Sequence, residues 1–302
     1  MVLSKHVLAF LIVAALTTRV QAQEPVATDA VTDAHPAGKI AWVLIEFPPS
    51  FILDTALPGR GHQAGFVRYI VERMPEYEHE FEKSTIVRAL GQMKQGRPVC
   101  SPSLLKTAER QTYGEFSIPE DFNLSTHIVV RKDRRERLAP YVAEGGRVNL
   151  VRLLADTSLI TSITDGRTFP PLINQALAAA GDQKNIIRTG AKLQTPIQQL
   201  AAGWIDYTLN YPSELKWYLD NAGLQDQASL TYIPIEGLAD FVESHVVCTK
   251  GPWGQRVIER MNAIIRDAGP RPPWYLAKLK ALDPDAAALN EALLERHHPF
   301  GH

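Results

Sequence analysis

Residues 99–119 read VCSPSLLKTAERQTYGEFSIP. Val99 and Cys100 form a short apolar run after Gln95-Gly96-Arg97-Pro98, as the end of a buried strand does after a turn. A polar loop is expected next, and Lys106-Thr107-Ala108-Glu109-Arg110 is predicted to open one helical turn. A second marker, Phe116-Ser117-Ile118-Pro119, follows a few residues later. An Arg beside a strand end suits a carboxylate, because its planar fork makes two parallel hydrogen bonds. The alternative is a surface pair with Glu109 or Glu115, of the common and weak kind.

Upstream, residues 39–47, KIAWVLIEF, are a near-continuous apolar run with β-branched members, the pattern of a buried strand. Pro48-Pro49 stops it. Gly59, Gly61 and Gly65 surround a predicted flexible loop, after which Phe66, Tyr69, Ile70 and Met74 recur at helical spacing. Residues 77–81 are predicted as a short strand and residues 85–93 as a helix, with Ile86, Ala89, Leu90 and Met93 on one side. Strand, helix, strand, helix, strand in that order specifies a parallel sheet covered by helices.

The alternation then starts again. Strands are predicted at 125–130, 186–187, 204–209 and 230–235. Helical patterns run through Phe169, Leu172, Ile173, Ala176 and Leu177, then through 197–201, then from Pro212 to Tyr218. The charged run 131–137 reads as a solvated loop. The middle of the chain therefore has the makings of its own sheet. A final strand at 245–248, a turn at 250–254 and an apolar stripe of Val257, Ile258, Met261, Ile264 and Ile265 come next. Two further helical patterns and a His-bearing tail, residues 297–302, end the chain.

The first residues have the form of an export signal. Lys5 and His6 precede apolar residues 7–16, and Val20-Gln21-Ala22 has small residues at cleavage spacing. The run is shorter than the roughly 20 apolar residues of a membrane span. Cleavage is expected after Ala22, leaving residues 23–38 as a disordered leader and sending the protein to the periplasm. The composition, 45% hydrophobic and 22% charged, is that of a globular protein. A formal net charge of −1 gives no drive toward nucleic acid. Two cysteines, Cys100 and Cys248, in an exported chain suggest a disulfide, with two buried thiols as the alternative. The sequence has no Cys-x-x-Cys spacing, and its His298-x-x-x-His302 spacing falls in the tail, so no metal centre is expected.

The strand end at Val99-Cys100, the Thr107-x-x-Arg110 turn and Phe116-Ser117-x-Pro119 resemble the type II periplasmic solute-binding proteins of family 3, which mostly bind amino acids. More closely, the chain looks like a branch of that family with a Gly96-x-x-Val99-Cys100 strand and a Lys106-Thr107-x-Glu109-Arg110 turn. The strand at 245–248, Lys250-Gly251 and the helix after them resemble the family's return segment, so the likeness covers nearly all of residues 39–268. It implies an α/β fold of two lobes, each a mostly parallel sheet flanked by helices. Lobe 1 would hold residues 39–124 and 245–302, and lobe 2 residues 125–244, with crossings near 122–125 and 243–246. It also implies that Cys100 and Cys248 lie on neighbouring strands and are bonded, with Cα atoms roughly 4.4–6.8 Å apart.

Ligands of open α/β sheets bind beyond the carboxyl ends of the strands. That rule points to Phe47 after the first strand; by the family likeness, Arg110 holds a ligand carboxylate and Thr107 belongs to the same turn, with neighbouring backbone groups at Ser101 and Ser103 as additional contacts. Arg167 and Thr168 precede a helix whose N-terminus suits an anion, although Thr168 also serves as a plain helix cap. Tyr211 and Glu214 complete the lobe 2 set. Two departures stand out. Ser103-Leu104-Leu105 replaces the usual Gly-x-Thr, and Tyr211 stands where an Asp commonly holds the ligand's amino group. Glu214 or Asp206 takes that role, or the ligand is not an α-amino acid. Phe47, Tyr113, Trp204, Tyr207 and Tyr211 are candidates to line the cleft.

The expected function is periplasmic binding of a small carboxylate-bearing ligand for an ABC transporter permease, by a monomer without cofactor. A sensory module for a membrane partner is the second reading. Catalysis is the third and is not expected, since no Gly-x-Ser-x-Gly, His-Glu-x-x-His or phosphate-loop motif occurs.

Overall fold

The computed structural model describes residues 38–54, 56–164, 167, 169–190, 194–223 and 229–297. All of them belong to a single packing unit. The expected export signal, its cleavage site, most of the leader, Thr168 and the end of the His-bearing tail lie outside the described residues.

The chain opens with β1 (Lys39–Ile45), α1 (His62–Arg73), β2 (Glu78–Ser84), α2 (Ile86–Lys94) and β3 (Val99–Leu104). This is the predicted alternation, with two local differences. Gly65 lies inside α1, and β3 runs on through Pro102, where a polar loop was expected. The predicted helical turn forms later, as a 3-10 turn at Arg110–Thr112. Two strands without a sequence signal of their own follow, β4 (Gly114–Phe116) and β5 (Asp121–Leu124).

The middle segment supplies β6 (His127–Arg131), a 3-10 stretch at Lys132–Tyr141, α3 (Leu150–Leu154), β7 (Thr161–Thr164), α4 (Pro171–Ala180) and β8 (Ile186–Thr189). It continues with α5 (Thr195–Ala201), β9 (Tyr207–Asn210), α6 (Pro212–Ala222) and β10 (Leu230–Pro234). The charged run is thus wound into a 3-10 stretch, where a loop was expected. The chain returns through β11 (Phe241–Thr249) to α7 (Pro252–Asp267), α8 (Pro273–Ala281) and α9 (Pro284–His297).

These strands make two sheets. The first has the order β2-β1-β3-β11-β4, with β5 also paired to β11; the second has β10-β6-β9-β7-β8. In each, one strand opposes all the others. β11 is antiparallel to β3, β4 and β5, and β6 is antiparallel to β9 and β10. All other described strands of a sheet therefore share one direction, as βαβ units require.

Helices cover both faces of both sheets. Trp42, Leu44 and Cys248 pack with α1 and α7 through Phe66, Val67, Ile70, Val257 and Met261, while Val43 and Val99 meet Ala89 and Met93 of α2 on the other side. In the second sheet Ile128, Val130 and Ile163 face α3 and α4, and Val129 faces α5 and α6. Strands buried on both faces read as unbroken apolar runs, which is why β1 was legible.

The chain leaves the first sheet after Leu124 and enters the second at His127, close to the expected crossing. It returns between Pro234 and Phe241, earlier than the expected 243–246, because Phe241 already pairs with Leu124. Gly254 explains how α7 begins so close to β11: a Cβ there would stand 2.0 Å from the Thr249 carbonyl oxygen.

Candidate functional site

Strand register fixes where the predicted residues lie. β1 and β3 are parallel, and β11 opposes β3 with His245 facing Leu104 and Cys248 facing Cys100. The C-terminal ends of β1 and β3 therefore lie beside the start of β11, where the chain arrives from the second sheet. β7 and β9 are parallel, and β6 opposes β9 with His127 facing Asn210. Their C-terminal ends lie beside the start of β6, where the chain arrives from the first. Each sheet thus points its strand ends at the crossings.

At the first sheet's edge, Arg110 is half-buried in the turn after β3. The Thr107 hydroxyl accepts the Arg110 backbone N–H at 3.2 Å and so shapes that turn. Nη1 of Arg110 donates to the Leu105 carbonyl at 2.8 Å, which anchors the guanidinium and leaves its other N–H groups available. Glu109, one alternative partner, bonds instead to Lys94 at 2.8 Å. Among the described residues no carboxylate lies within ion-pairing distance of Arg110.

Ser103, at the end of β3, has φ +60°, a left-handed backbone that a non-glycine residue adopts at a cost. Ser101, where a backbone contact was expected, is fully buried inside the sheet. Its hydroxyl is buried by its place within a strand that runs longer than expected. Phe47 is 38% exposed and joins Phe51 by two backbone hydrogen bonds of 3.0 and 2.9 Å, closing the loop after β1.

At the second sheet's edge, Arg167 follows β7 and Glu214 lies in the first turn of α6, after β9. Because β7 and β9 are neighbours, the two meet: Arg167 Nη2 is 2.9 Å from Glu214 Oε2, and both side chains are almost wholly buried. The Arg167 guanidinium lies 5.3 Å from the Tyr211 ring and 5.5 Å from the Phe169 ring. Burial works against the Arg167 charge, yet Glu214 outweighs it and Arg167 ends above its ordinary pKa. Burial pushes the Glu214 carboxyl up, and Arg167 offsets only part of that. Oε1 of Glu214 is buried without a hydrogen-bond partner. Burial also pushes the Tyr211 hydroxyl up, so it stays a neutral group. Arg167 and Glu214, expected as separate ligand contacts, hold each other. The pairing was not visible in sequence, because it depends on β7 and β9 being adjacent.

Other candidates lie elsewhere. Asp206 precedes β9, at the opposite end of the second sheet, where it pairs with Arg137 and accepts the Ile160 N–H at 2.8 Å. Trp204 is 72% exposed in the turn near it, outside the strand predicted to hold it, and Tyr207 is fully buried at that same end. Neither aromatic belongs to the strand ends that face the crossings. Ser117, in the second marker, has a structural part: its hydroxyl accepts the Val246 N–H at 2.9 Å and donates to the Ile118 carbonyl. Among the described residues no group of three or more metal-ligating side chains occurs, and no helix is long and apolar enough to cross a membrane.

No protein-family model matches the chain, and no curated protein is similar to it in sequence. Its fold is nonetheless well represented among solved structures. A mutant of ArgBP from T. maritima superposes with a TM-score of 0.53 at 17% identity, over 80% of this chain and 94% of that one. A histidine kinase sensor domain with similarity to periplasmic binding proteins gives 0.57 at 18%, over 83% and 100%. The probable amino-acid ABC transporter extracellular-binding protein ytmK from Bacillus subtilis gives 0.56 at 15%, over 82% and 97%. The fold is the two-lobe α/β fold of periplasmic binding proteins, the one expected from the resemblance to family 3.

Proposed function

We propose that this protein is a periplasmic solute-binding protein that takes a small carboxylate-bearing, amino-acid-like ligand between its two sheets. Residues 39–124 and 241–302 form lobe 1 in this reading, and residues 125–240 form lobe 2. Arg110 carries the proposal. Its guanidinium donates to the Leu105 carbonyl, just past the end of β3, and among the described residues no carboxylate lies within ion-pairing distance of it. A ligand carboxylate would supply two charge-assisted hydrogen bonds there. In this reading Thr107 holds the turn, Ser103 and Phe47 add lobe 1 contacts, and Tyr211 with the Arg167–Glu214 pair forms the opposing wall. The likeness to a probable amino-acid ABC transporter extracellular-binding protein supports an uptake role with a membrane permease. In this reading the protein works as a monomer, without enzymatic activity, cofactor or nucleic-acid partner.

A second reading, ligand sensing for a membrane signalling partner, is favoured by the sensor-domain likeness alone. Thermal-shift screening of the mature protein against amino acids, small organic acids and short peptides tests the binding claim, since a ligand stabilises what it binds. A set of carboxylate-bearing compounds should raise the melting temperature, and they should fail to do so in Arg110→Ala.

A further inference from the structure

We propose that α8 and α9 form a strap over both crossings, and that the hydrogen bond from Tyr232 to Asp283 latches this strap to the second sheet. α8 is anchored to the first sheet and to β5, the outgoing crossing strand. Trp274 Nε1 donates to the Glu120 carbonyl at 2.7 Å, and the Trp274 ring meets Phe66 and Tyr69 of α1 edge-on at 5.0 and 5.2 Å. Lys278, 1% exposed, bonds to Asp121 Oδ1 at 2.5 Å and to the Phe122 carbonyl. Breaking such a buried pair is costly, so α8 has little freedom to leave β5.

α9 extends this attachment. Ala286, Leu293 and Leu294 pack with Phe122 and Leu124 of β5, and the His297 ring lies 5.3 Å from the ring of Phe241, the first residue of the returning strand β11. Both crossings therefore run beneath one helical pair.

The hold on the second sheet is thin by comparison. Tyr232 on β10 donates its hydroxyl to Asp283 Oδ1, an oxygen that also accepts the N–H groups of Asp285 and Ala286 at the start of α9. Burial and Asp283 push the Tyr232 hydroxyl far up, so it stays a donor. Lys132 adds only a 3.7 Å contact to Asp285, with both side chains more than half exposed. Next to the latch, a cavity of about 560 Å³ separates Leu215, Leu219 and Leu230 of the second sheet's layer from Asp283 and Asp285 of the strap. A rigid strap on one sheet, the Tyr232 hydroxyl and ring as its main hold, among the described residues, on the other, and open space beside them make a restraint on rotation about the crossings.

The inference rests on the proposed binding of a ligand between the two sheets, which it deepens with a rotation of the sheets about the crossings, but its test needs no ligand. Val87 on α2 and Val151 on α3 are 78% and 61% exposed, so Val87→Cys and Val151→Cys accept spin labels while the native disulfide occupies Cys100 and Cys248. Label–label distances are then compared with and without Tyr232→Phe, which removes one hydroxyl and keeps the ring. The strap account expects a second distance population to grow about tenfold relative to the first, the ratio that one hydrogen bond to a carboxylate controls. A distribution superimposable on the parent's, with unchanged circular dichroism, would overturn it. Lys132→Ala should leave the distribution as it is, and a shift as large as that of Tyr232→Phe would contradict Tyr232 as the latch.

Discussion

Cys100 and Cys248 face each other directly across β3 and β11, with their Cα atoms 4.0 Å apart and their sulfurs bonded. The separation falls just under the usual range of roughly 4.4–6.8 Å. The bond closes a loop with a sequence separation of 148. Chain entropy assigns a loop of that length about 4–5 kcal/mol, of which measurement typically recovers 2–4. Cys100→Ser with Cys248→Ser, or reduction, should lower the urea midpoint accordingly, and an unchanged midpoint would contradict a stabilising cross-link.

The Arg167–Glu214 pair predicts an asymmetry between single and double substitution. Glu214→Leu leaves a buried guanidinium without its carboxylate and should cost about 3–5 kcal/mol in urea unfolding. Arg167→Met with Glu214→Leu removes both charges and should recover most of that loss. Two additive losses would mean that the residues act independently.

Two neighbouring carboxyls should give opposite pH signatures. Burial pushes Asp121 up, but Lys278 and His62 outweigh it and hold it at about 2. With a lowered folded value, Asp121 contributes about 2–3 kcal/mol at neutral pH that is lost as pH falls from 4 toward 2. Asp121→Asn should flatten that acid limb. Glu120 is raised, by burial and then by Asp121. Its stabilising contribution is complete below its unfolded value and is lost as pH rises through its folded one. Glu120→Gln should therefore raise stability at pH 8 and leave it unchanged at pH 4. Urea midpoints across this range check both signs.

Backbone geometry supplies a fourth prediction. Ser103→Gly relieves a left-handed φ and should stabilise by about 0.5–1 kcal/mol. Gly254→Ala drives a methyl group against the Thr249 carbonyl and should destabilise strongly. Thermal melts of the two variants should move in opposite directions, and parallel shifts would contradict these local readings.

What the sequence revealed follows from what each residue answers to. β1, α2 and the stripe of α7 were legible because burial on a face imposes a period that local sequence carries. β4 and β5 were not, since three- and four-residue strands take their structure from pairing with β11. The disulfide was implied by family likeness and then placed by strand register. Arg110 and Thr107 were legible as one turn, because their bond is local in sequence. The Arg167–Glu214 pair, the displacement of Asp206 and the burial of Ser101 depend on strand order and length, which no short motif records. The crossing strap was least visible, because Lys278 and Asp121 meet across 157 residues of chain.

The central claim is that Arg110 exists to hold a carboxylate. Calorimetric titration of the best compound from the thermal-shift screen, against the parent, Arg110→Ala and Arg110→Lys, tests it most directly. Loss of one charged partner in a closed site costs about 3 kcal/mol, so Arg110→Ala should bind about a hundredfold more weakly. Arg110→Lys should also bind poorly, because a point charge does not reproduce the fork. Circular dichroism of both variants should match the parent's. Unchanged affinity in a well-folded Arg110→Ala protein would contradict the account at its central residue.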